Sequence, residues 1–140
     1  MQLTGEEIID APIEKVWQGL NDPEILRACI KGCTKIEKSN DTDFLIEMTA
    51  TVGPVKAKFK GNIILNDLNP PNSYTITFNG SGGVAGFGKG TANVELFSTD
   101  EKTTLRYHSK ATVGGKLAQV GARLIDGVAK KIASDFFFNL

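Results

Sequence analysis

A long central region in which apolar and polar side chains alternate is the feature that most constrains this chain. From residue 33 to residue 113 the alternation has a period of two and is interrupted only by short turns rich in Gly, Pro, Asn and Asp. Such alternation is typical of β-strands that bury one face, and short turns favour antiparallel neighbours. The predicted strands of this region are 34–39, 43–52, 55–66, 73–80, 88–98 and 102–113.

Different patterns flank this region on both sides. Residues 2–10 predict a first strand, Pro12 suits the first turn of a short helix, and Asp22 suits the N-cap of a second one. From residue 116 onward the apolar residues repeat with helical period, which predicts one long amphipathic helix. No segment has the composition of a linker, so residues 1–140 are expected to form a single α+β domain.

The widths of the sheet and of the final helix predict a curved sheet. Seven strands about 4.8 Å apart span roughly 30 Å, whereas a helix with its side chains is about 10–12 Å across. The sheet must therefore curl around the C-terminal helix, with the two short helices closing one end. Small residues alternate with large ones at inward positions, namely Gly5, Ala50, Ala57, Gly61, Ala92 and Ala111.

The missing side-chain volume on the concave wall favours a cavity for an apolar ligand, because protein interiors are normally close-packed. The alternative is that the long helix fills the space. The predicted ligand contacts are Phe44, Met48, Phe59, Ile63, Tyr74, Phe78, Phe87, Val94, Leu96, Tyr107, Leu117, Val120 and Leu124. The hydroxyls of Tyr74, Tyr107 and Ser109 are the few polar groups expected to enter the cavity.

A glycine-rich stretch, NGSGGVAGFGKG at residues 79–90, superficially matches two phosphate-binding motifs. Both motifs need a helix N-terminus after the glycines, whereas a strand is predicted here. Nucleotide binding is therefore rejected. The stretch is interpreted as a flexible hairpin, or as a hairpin whose Val84 and Phe87 gate the cavity or meet a membrane or partner.

No nucleophile, base and orienting group converge in this sequence, so no catalytic residue is predicted. His108 is expected on the solvent face of its strand. Glu6 and Glu7 lie on a strand of ambiguous parity, and an inward carboxylate there would be the one candidate acid or base. Cys29 and Cys33 fit neither a zinc pattern nor a disulfide framework, and neither metal nor cofactor is expected.

The charge pattern bears on partners and location. Sixteen basic and 16 acidic residues give zero formal net charge, which argues against a nucleic-acid binder. The basic side of the last helix, together with the run Phe136–Phe138, is a candidate contact with an anionic membrane, because Phe137 falls on the polar side of the helical wheel. The N-terminus lacks the features of a signal peptide, so a cytoplasmic location is expected, including the inner face of the cell membrane.

The order of elements resembles the helix-grip fold of the START and birch-pollen-allergen superfamily. Several runs resemble the G-subunit family of carbon monoxide dehydrogenase: LTGEEIIDAPIEKVW, NDPEILRACIKGC, VGPVKAKFKG, GGVAGFGKGTANVEL and VGGKLAQVGARLIDGVAKKIASDFF. The resemblance implies a non-catalytic accessory protein of a molybdenum-containing carbon monoxide dehydrogenase or related hydroxylase. It also implies a role in membrane recruitment or electron delivery, with a quinone or other lipid in the central cavity.

Three hypotheses remain after the sequence analysis. The leading one is a carrier of an apolar ligand that serves a redox enzyme near the membrane. The second is an enzyme of the same fold, a cyclase or hydrolase of an apolar substrate, which needs Glu6 or Glu7 to point inward. The third is an adaptor with a solidly packed interior that docks onto the dehydrogenase without a ligand.

Overall fold

One seven-stranded antiparallel sheet forms most of the chain in the computed structural model, which describes residues 2–140. The strands are β1 (Gln2–Ile9), β2 (Cys33–Lys38), β3 (Asp43–Val52), β4 (Val55–Asn69), β5 (Ser73–Ser81), β6 (Phe87–Thr99) and β7 (Lys102–Gly114). The helices are α1 (Ile13–Leu20), α2 (Pro23–Cys29), α3 (Lys116–Gln119) and α4 (Ala122–Asn139), and a single 3-10 turn spans Gly83–Ala85.

The strands are ordered β1-β7-β6-β5-β4-β3-β2 across the sheet. Each strand from β2 to β7 pairs with its neighbour in sequence, and β1 completes the sheet by pairing with β7. The predicted fold class is confirmed: a curved antiparallel sheet of seven strands, two short helices after the first strand, and a long C-terminal helix. The side-chain alternation was sufficient to place every strand within a few residues.

The C-terminal helical region differs from the sequence prediction in one respect. It is two helices instead of one, because Gly121 adopts a φ of +99°, in the region that favours glycine. The four residues of α3 therefore end before α4 begins, and the 18 residues of α4 span about 27 Å. The periodicity did not reveal the break because apolar residues continue at helical spacing on both sides of it.

The two short helices begin at or within one residue of the predicted positions, since Pro12 is the N-cap of α1 and not part of its first turn. Asp22 caps α2, since its side chain accepts a hydrogen bond from the backbone N–H of Glu24 at 2.9 Å. Helix α1 follows Pro12 and buries Ile13 and Val16 on one face. Both helices cover the same end of the curved sheet.

The fully buried core lies at that end of the sheet. Its members are Ile13, Val16, Leu20, Leu26, Phe44, Leu65, Tyr74, Val94, Leu96 and Leu105. Trp17 of α1 packs edge-on against the Tyr74 ring, with the centroids 5.2 Å apart. Thr103, which has no exposed surface, donates a hydrogen bond from its hydroxyl to the Ala11 carbonyl at 2.8 Å. The closed end of the molecule is thus tightly packed.

Truncating Phe44 should test the role of this core. Its side chain is 1% exposed, so Phe44→Ala is expected to lower the free energy of unfolding by about 3–5 kcal/mol. The neighbouring Leu45 points to the other face and is 49% exposed, so Leu45→Ala should change stability by no more than about 0.5 kcal/mol. Urea unfolding of both variants measures the difference, and equal losses would contradict this location of the core.

Candidate ligand-binding site

Small residues of four neighbouring strands lie side by side on the concave face. Cross-strand pairing joins Gly88 to Gly80 and Gly80 to Gly61, in one row across β6, β5 and β4. The adjacent row contains Ala111 paired with Gly90. Together with the next row, they form a small-residue patch consisting of Gly61, Gly80, Gly88, Gly90, Ala92, Ser109 and Ala111.

Two of these glycines are required by the curvature of the sheet. A Cβ atom on Gly61 would overlap the carbonyl oxygen of Asn79, and a Cβ atom on Gly90 would overlap the carbonyl oxygen of Lys110. Neighbouring strands therefore approach more closely at these points than any side chain permits. Gly61 and Gly90 allow the sheet to bend.

Two other glycines could accept a Cβ atom without overlap. The nearest heavy atom to a Cβ on Gly88 would be Cγ1 of Val113 at 3.7 Å, and the nearest to a Cβ on Gly80 would be the Lys60 carbonyl oxygen, also at 3.7 Å. Neither glycine has a positive φ. The backbone here does not require glycine, and the absent side chains reduce the volume of the concave wall.

Helix α4 covers this patch incompletely. At one end Leu124 lies against Gly53 in the β3–β4 turn, and at the other Phe137 stacks on Tyr107 of β7. Between these ends, α4 meets the sheet mainly at β1 and β3, and within residues 2–140 it approaches β5 and β6 less. No described residue of α4 is fully buried, and every residue of the small-residue patch is half-buried. The helix therefore bridges the sheet without pressing on its middle.

The structure divides the predicted ligand contacts into three groups. The fully buried group belongs to the packed end or to the α3 contact: Phe44, Tyr74, Val94, Leu96 and Leu117. The half-buried group lies around the small-residue patch and along the inner side of the sheet and helix: Met48, Phe59, Ile63, Phe78, Tyr107 and Val120. Leu124 is 39% exposed at the N-terminal end of α4. Whether these side chains contact a ligand stays a prediction.

Phe87 is the one predicted contact that lies on the wrong face. Strand β6 begins at Phe87, so its side chain points away from the inward positions that start at Gly88. The ring covers Gly114 on the outer face and is 44% exposed. The sequence prediction began this strand one residue later, and therefore did not apply the side-chain alternation to Phe87.

An open cleft of about 600 Å³ runs along α3 and α4. It is lined by Val120, Gly121, Arg123, Leu124, Gly127, Val128 and Lys131. Two predicted contacts, Val120 and Leu124, therefore border this cleft. This cleft is open to solvent and is lined by residues of the helical region, which differs from the enclosed hollow expected beneath the helix.

The first strand resolves the ambiguity between Glu6 and Glu7. Burial alternates along β1, and Glu7 shares its parity with Ile9, which packs against the core. Glu6 points outward, where its carboxylate pairs with Arg106 at 2.7 Å. Glu7 is therefore the inward, half-buried carboxylate.

Tyr107 provides a hydroxyl beside this carboxylate. Its ring lies across Gly5 of β1, and a Cβ atom on Gly5 would overlap the phenol oxygen. The ring stacks on Phe137 with the centroids 5.4 Å apart. Burial raises the pKa of the Tyr107 phenol, and the negative charge of Glu7 raises it further. The phenol therefore stays protonated and can donate a hydrogen bond at neutral pH.

The interpretation of Phe137 as an outward residue is wrong. Phe136 and Phe137 both pack against the core cluster, and their rings meet edge-to-face at 5.2 Å. The last turns of α4 are covered on more than one side, whereas a helical wheel assigns a single buried face. Phe138 alone of the run is 90% exposed.

The glycine-rich hairpin folds back onto the helical region. Ala85 is buried in the 3-10 turn, Gly86 lies against Leu117, and Val84 is exposed at the tip. A strand follows the glycines, as predicted, so the helix N-terminus that a phosphate site needs is not present there.

His108 lies on the outer face of β7, as predicted, and forms a hydrogen bond with Thr4.

Both cysteines are free thiols. Cys29 is buried and Cys33 is half-buried, and burial raises the pKa of each. Within residues 2–140, no helix is both long and apolar enough to span a bilayer.

The curved sheet and final helix define the helix-grip class of fold. Solved structures with this fold include Ara h 8.0201, at 12% identity and a TM-score of 0.67 over 99% of this chain and 93% of that chain. Another is the Zhui aromatase/cyclase from Streptomyces sp. R1128, at 13% identity and a TM-score of 0.70 over 99% and 90%.

Within this class the chain belongs to CoxG, the G-subunit family of carbon monoxide dehydrogenase, whose model matches residues 5–140. A conserved protein from Geobacillus kaustophilus is 36% identical and superposes with a TM-score of 0.93, over 99% of this chain and 91% of that one. Among curated protein sequences, no significant match was found. The family resemblance noted in the sequence is confirmed.

An added methyl group should affect the stability of the fold differently at Gly61 and at Gly88. Gly61→Ala should lower the free energy of unfolding by about 1–3 kcal/mol, because the strands must move apart. Gly88→Ala should leave it unchanged or slightly raised, because its Cβ would make only ordinary van der Waals contacts with Val113 and Thr112. Thermal and urea unfolding of the two variants test this, and similar losses would contradict the distinction between Gly61, where the neighbouring strand leaves no room for a Cβ atom, and Gly88, where it does.

The burial of Tyr74 predicts that the protein becomes less stable at alkaline pH. Burial raises the pKa of Tyr74 above its ordinary value of 10.0, so above that pH the unfolded chain loses a proton that the folded chain keeps. Part of the folding free energy is therefore lost as the pH rises above 10. Tyr74→Phe keeps the ring and should reduce the loss measured by urea unfolding between about pH 9 and about pH 11. Tyr107→Phe, at a less buried position, should reduce it less.

Proposed function

We propose that this protein binds an apolar ligand, a quinone or another lipid, against the concave face of its sheet, and that it has no catalytic activity of its own. The observation that carries this proposal is the small-residue patch at the middle of the sheet, over which α4 passes without burying any residue completely. Membership of a family named for a component of a redox enzyme and the helix-grip fold support it.

Burial of apolar surface on the concave face can provide most of the free energy of binding for such a ligand. Burial of apolar surface contributes roughly 25 cal/mol per Å², so an isoprenoid or alkyl segment that loses about 200 Å² gains roughly 5 kcal/mol. The half-buried side chains Met48, Phe59 and Phe78 would lose their remaining exposure in the same step. Few polar contacts are then needed for affinity, which agrees with the apolar character of the inward positions.

The proposed partner is a molybdenum-containing carbon monoxide dehydrogenase or a related hydroxylase. In this role the protein aids membrane recruitment of the enzyme or delivery of its electrons, from the cytoplasm or the inner face of the cell membrane. The family name supports the partner. Phe138, which is 90% exposed, and the exposed cations Arg123 and Lys130 on α4 support peripheral contact with an anionic membrane.

A large side chain at Gly88 should weaken ligand binding. Gly88→Leu places a side chain on the small-residue patch and is expected to weaken uptake of a menaquinone analogue at least about tenfold, since one leucine occupies the volume of several ligand carbons. Lys89→Leu adds the same side chain on the outer face of the same strand and should leave uptake unchanged. Fluorescence titration measures both, after circular dichroism confirms that each variant is folded.

Extraction provides an independent test of the wild-type protein. Organic-solvent extracts analysed by mass spectrometry should contain a lipid or quinone, or the purified protein should take up an added menaquinone analogue. If repeated extractions contain no lipid and no analogue is taken up, the carrier function is wrong and a ligand-free docking adaptor takes its place.

The inward position of Glu7 favours a second candidate function, an enzyme of the same fold acting on an apolar substrate. A cyclase or hydrolase requires an acid or base at the ligand, and Glu7 beside Tyr107 meets that structural requirement. The same mass spectrometry separates the two functions. A binding protein returns the bound molecule with unchanged mass after prolonged incubation, whereas an enzyme returns a product, and Glu7→Gln would stop its formation.

A further inference from the structure

We propose that Glu7 and Tyr107 form the polar end of the ligand site and select a neutral ligand whose head group carries a hydroxyl over a ligand that carries a carboxylate. This inference rests on the proposed function, since it concerns the head group of the same apolar ligand. It adds Glu7, which lies outside the apolar lining, to the residues of the site.

The register of the first and last strands brings the two side chains together. Tyr107 pairs with Gly5 and Leu105 pairs with Glu7, so Glu7 and Tyr107 are diagonal neighbours on the concave face. Because Gly5 has no side chain, the Tyr107 ring can lie across β1. Phe137 of α4 stacks on that ring and fixes its orientation.

Glu7 is a charged residue among uncharged neighbours on the concave face. It is the one charged side chain at the inward positions of β1, β5, β6 and β7 in the described chain. Within residues 2–140 its carboxylate has no ion pair or side-chain hydrogen bond, whereas the adjacent Glu6 is paired with Arg106. The Tyr107 hydroxyl likewise has no hydrogen-bond partner within the described residues. Two adjacent polar groups therefore have free hydrogen-bonding capacity on a wall whose other inward residues are mostly apolar.

The chemistry of these two groups defines the head group that fits. An ionised carboxylate only accepts hydrogen bonds, while a phenol both donates and accepts. A ligand hydroxyl can donate to Glu7 and accept from Tyr107 at the same time, which satisfies both groups. A ligand carboxylate would instead bring a second negative charge beside Glu7, and like charges a few ångströms apart repel.

A matched pair of probes separates the two kinds of head group. We would measure by calorimetry the binding of 4-octylphenol and of 4-octylbenzoate, which share the ring and the alkyl chain, at neutral pH. The wild-type protein is expected to bind the phenol at least about tenfold more tightly, because of the like charge that the benzoate brings to Glu7. Glu7→Gln should reduce this preference by strengthening benzoate binding, and Tyr107→Phe should reduce it by weakening phenol binding.

The control and the contrary outcomes keep this inference separate from the proposed function. Glu6→Gln removes the same charge from the outer face of the same strand and should leave the preference unchanged. Equal affinity for both probes, unaltered by Glu7→Gln, would overturn the selection by Glu7 while leaving apolar binding intact. If neither probe nor octylbenzene binds to the folded wild-type protein, the proposed function itself fails.

Discussion

The mismatch in width between a seven-stranded sheet and a single helix governs this structure. A helix about 10–12 Å across cannot cover strands that span roughly 30 Å, so the sheet has to bend, and glycines at Gly61 and Gly90 provide the close strand approach that bending requires. Helices α1 and α2 complete the cover at one end, where the core is fully buried. At the middle of the sheet no comparable cover exists among the described residues, and it is there that the small residues collect.

This division assigns stability and ligand binding to different parts of one wall. Phe44 and Leu105 at the packed end are each only 1% exposed, so the burial of their side chains contributes strongly to the stability of the fold. Gly80 and Gly88 of the small-residue patch are half-buried, and a Cβ atom on either would overlap no neighbour, so these positions can be changed or covered with little loss of stability. This arrangement suits a binding protein, because a ligand can cover the concave face without any rearrangement of the packed core.

Strand alternation was enough to predict the sheet, since every inward row depends on a period of two that the chain maintains from residue 33 to residue 113. The errors occurred where local geometry departs from regular repeats. Gly121 interrupts the helix through its backbone conformation, and the covered sides of Phe137 depend on Tyr107, 30 positions earlier. The inward position of Glu7 needed the pairing of β1 with β7, which no local pattern reveals.

The pairing of the first strand with the last also has a kinetic consequence. Thr4 and His108, which hydrogen-bond across this pair, are separated by 104 positions. Folding topologies dominated by such distant pairings form slowly, because loop closure must precede the contacts that reward it. During synthesis β1 therefore stays unpaired until β7 has left the ribosome, and over that interval its backbone N–H and C=O groups can pair with other strands.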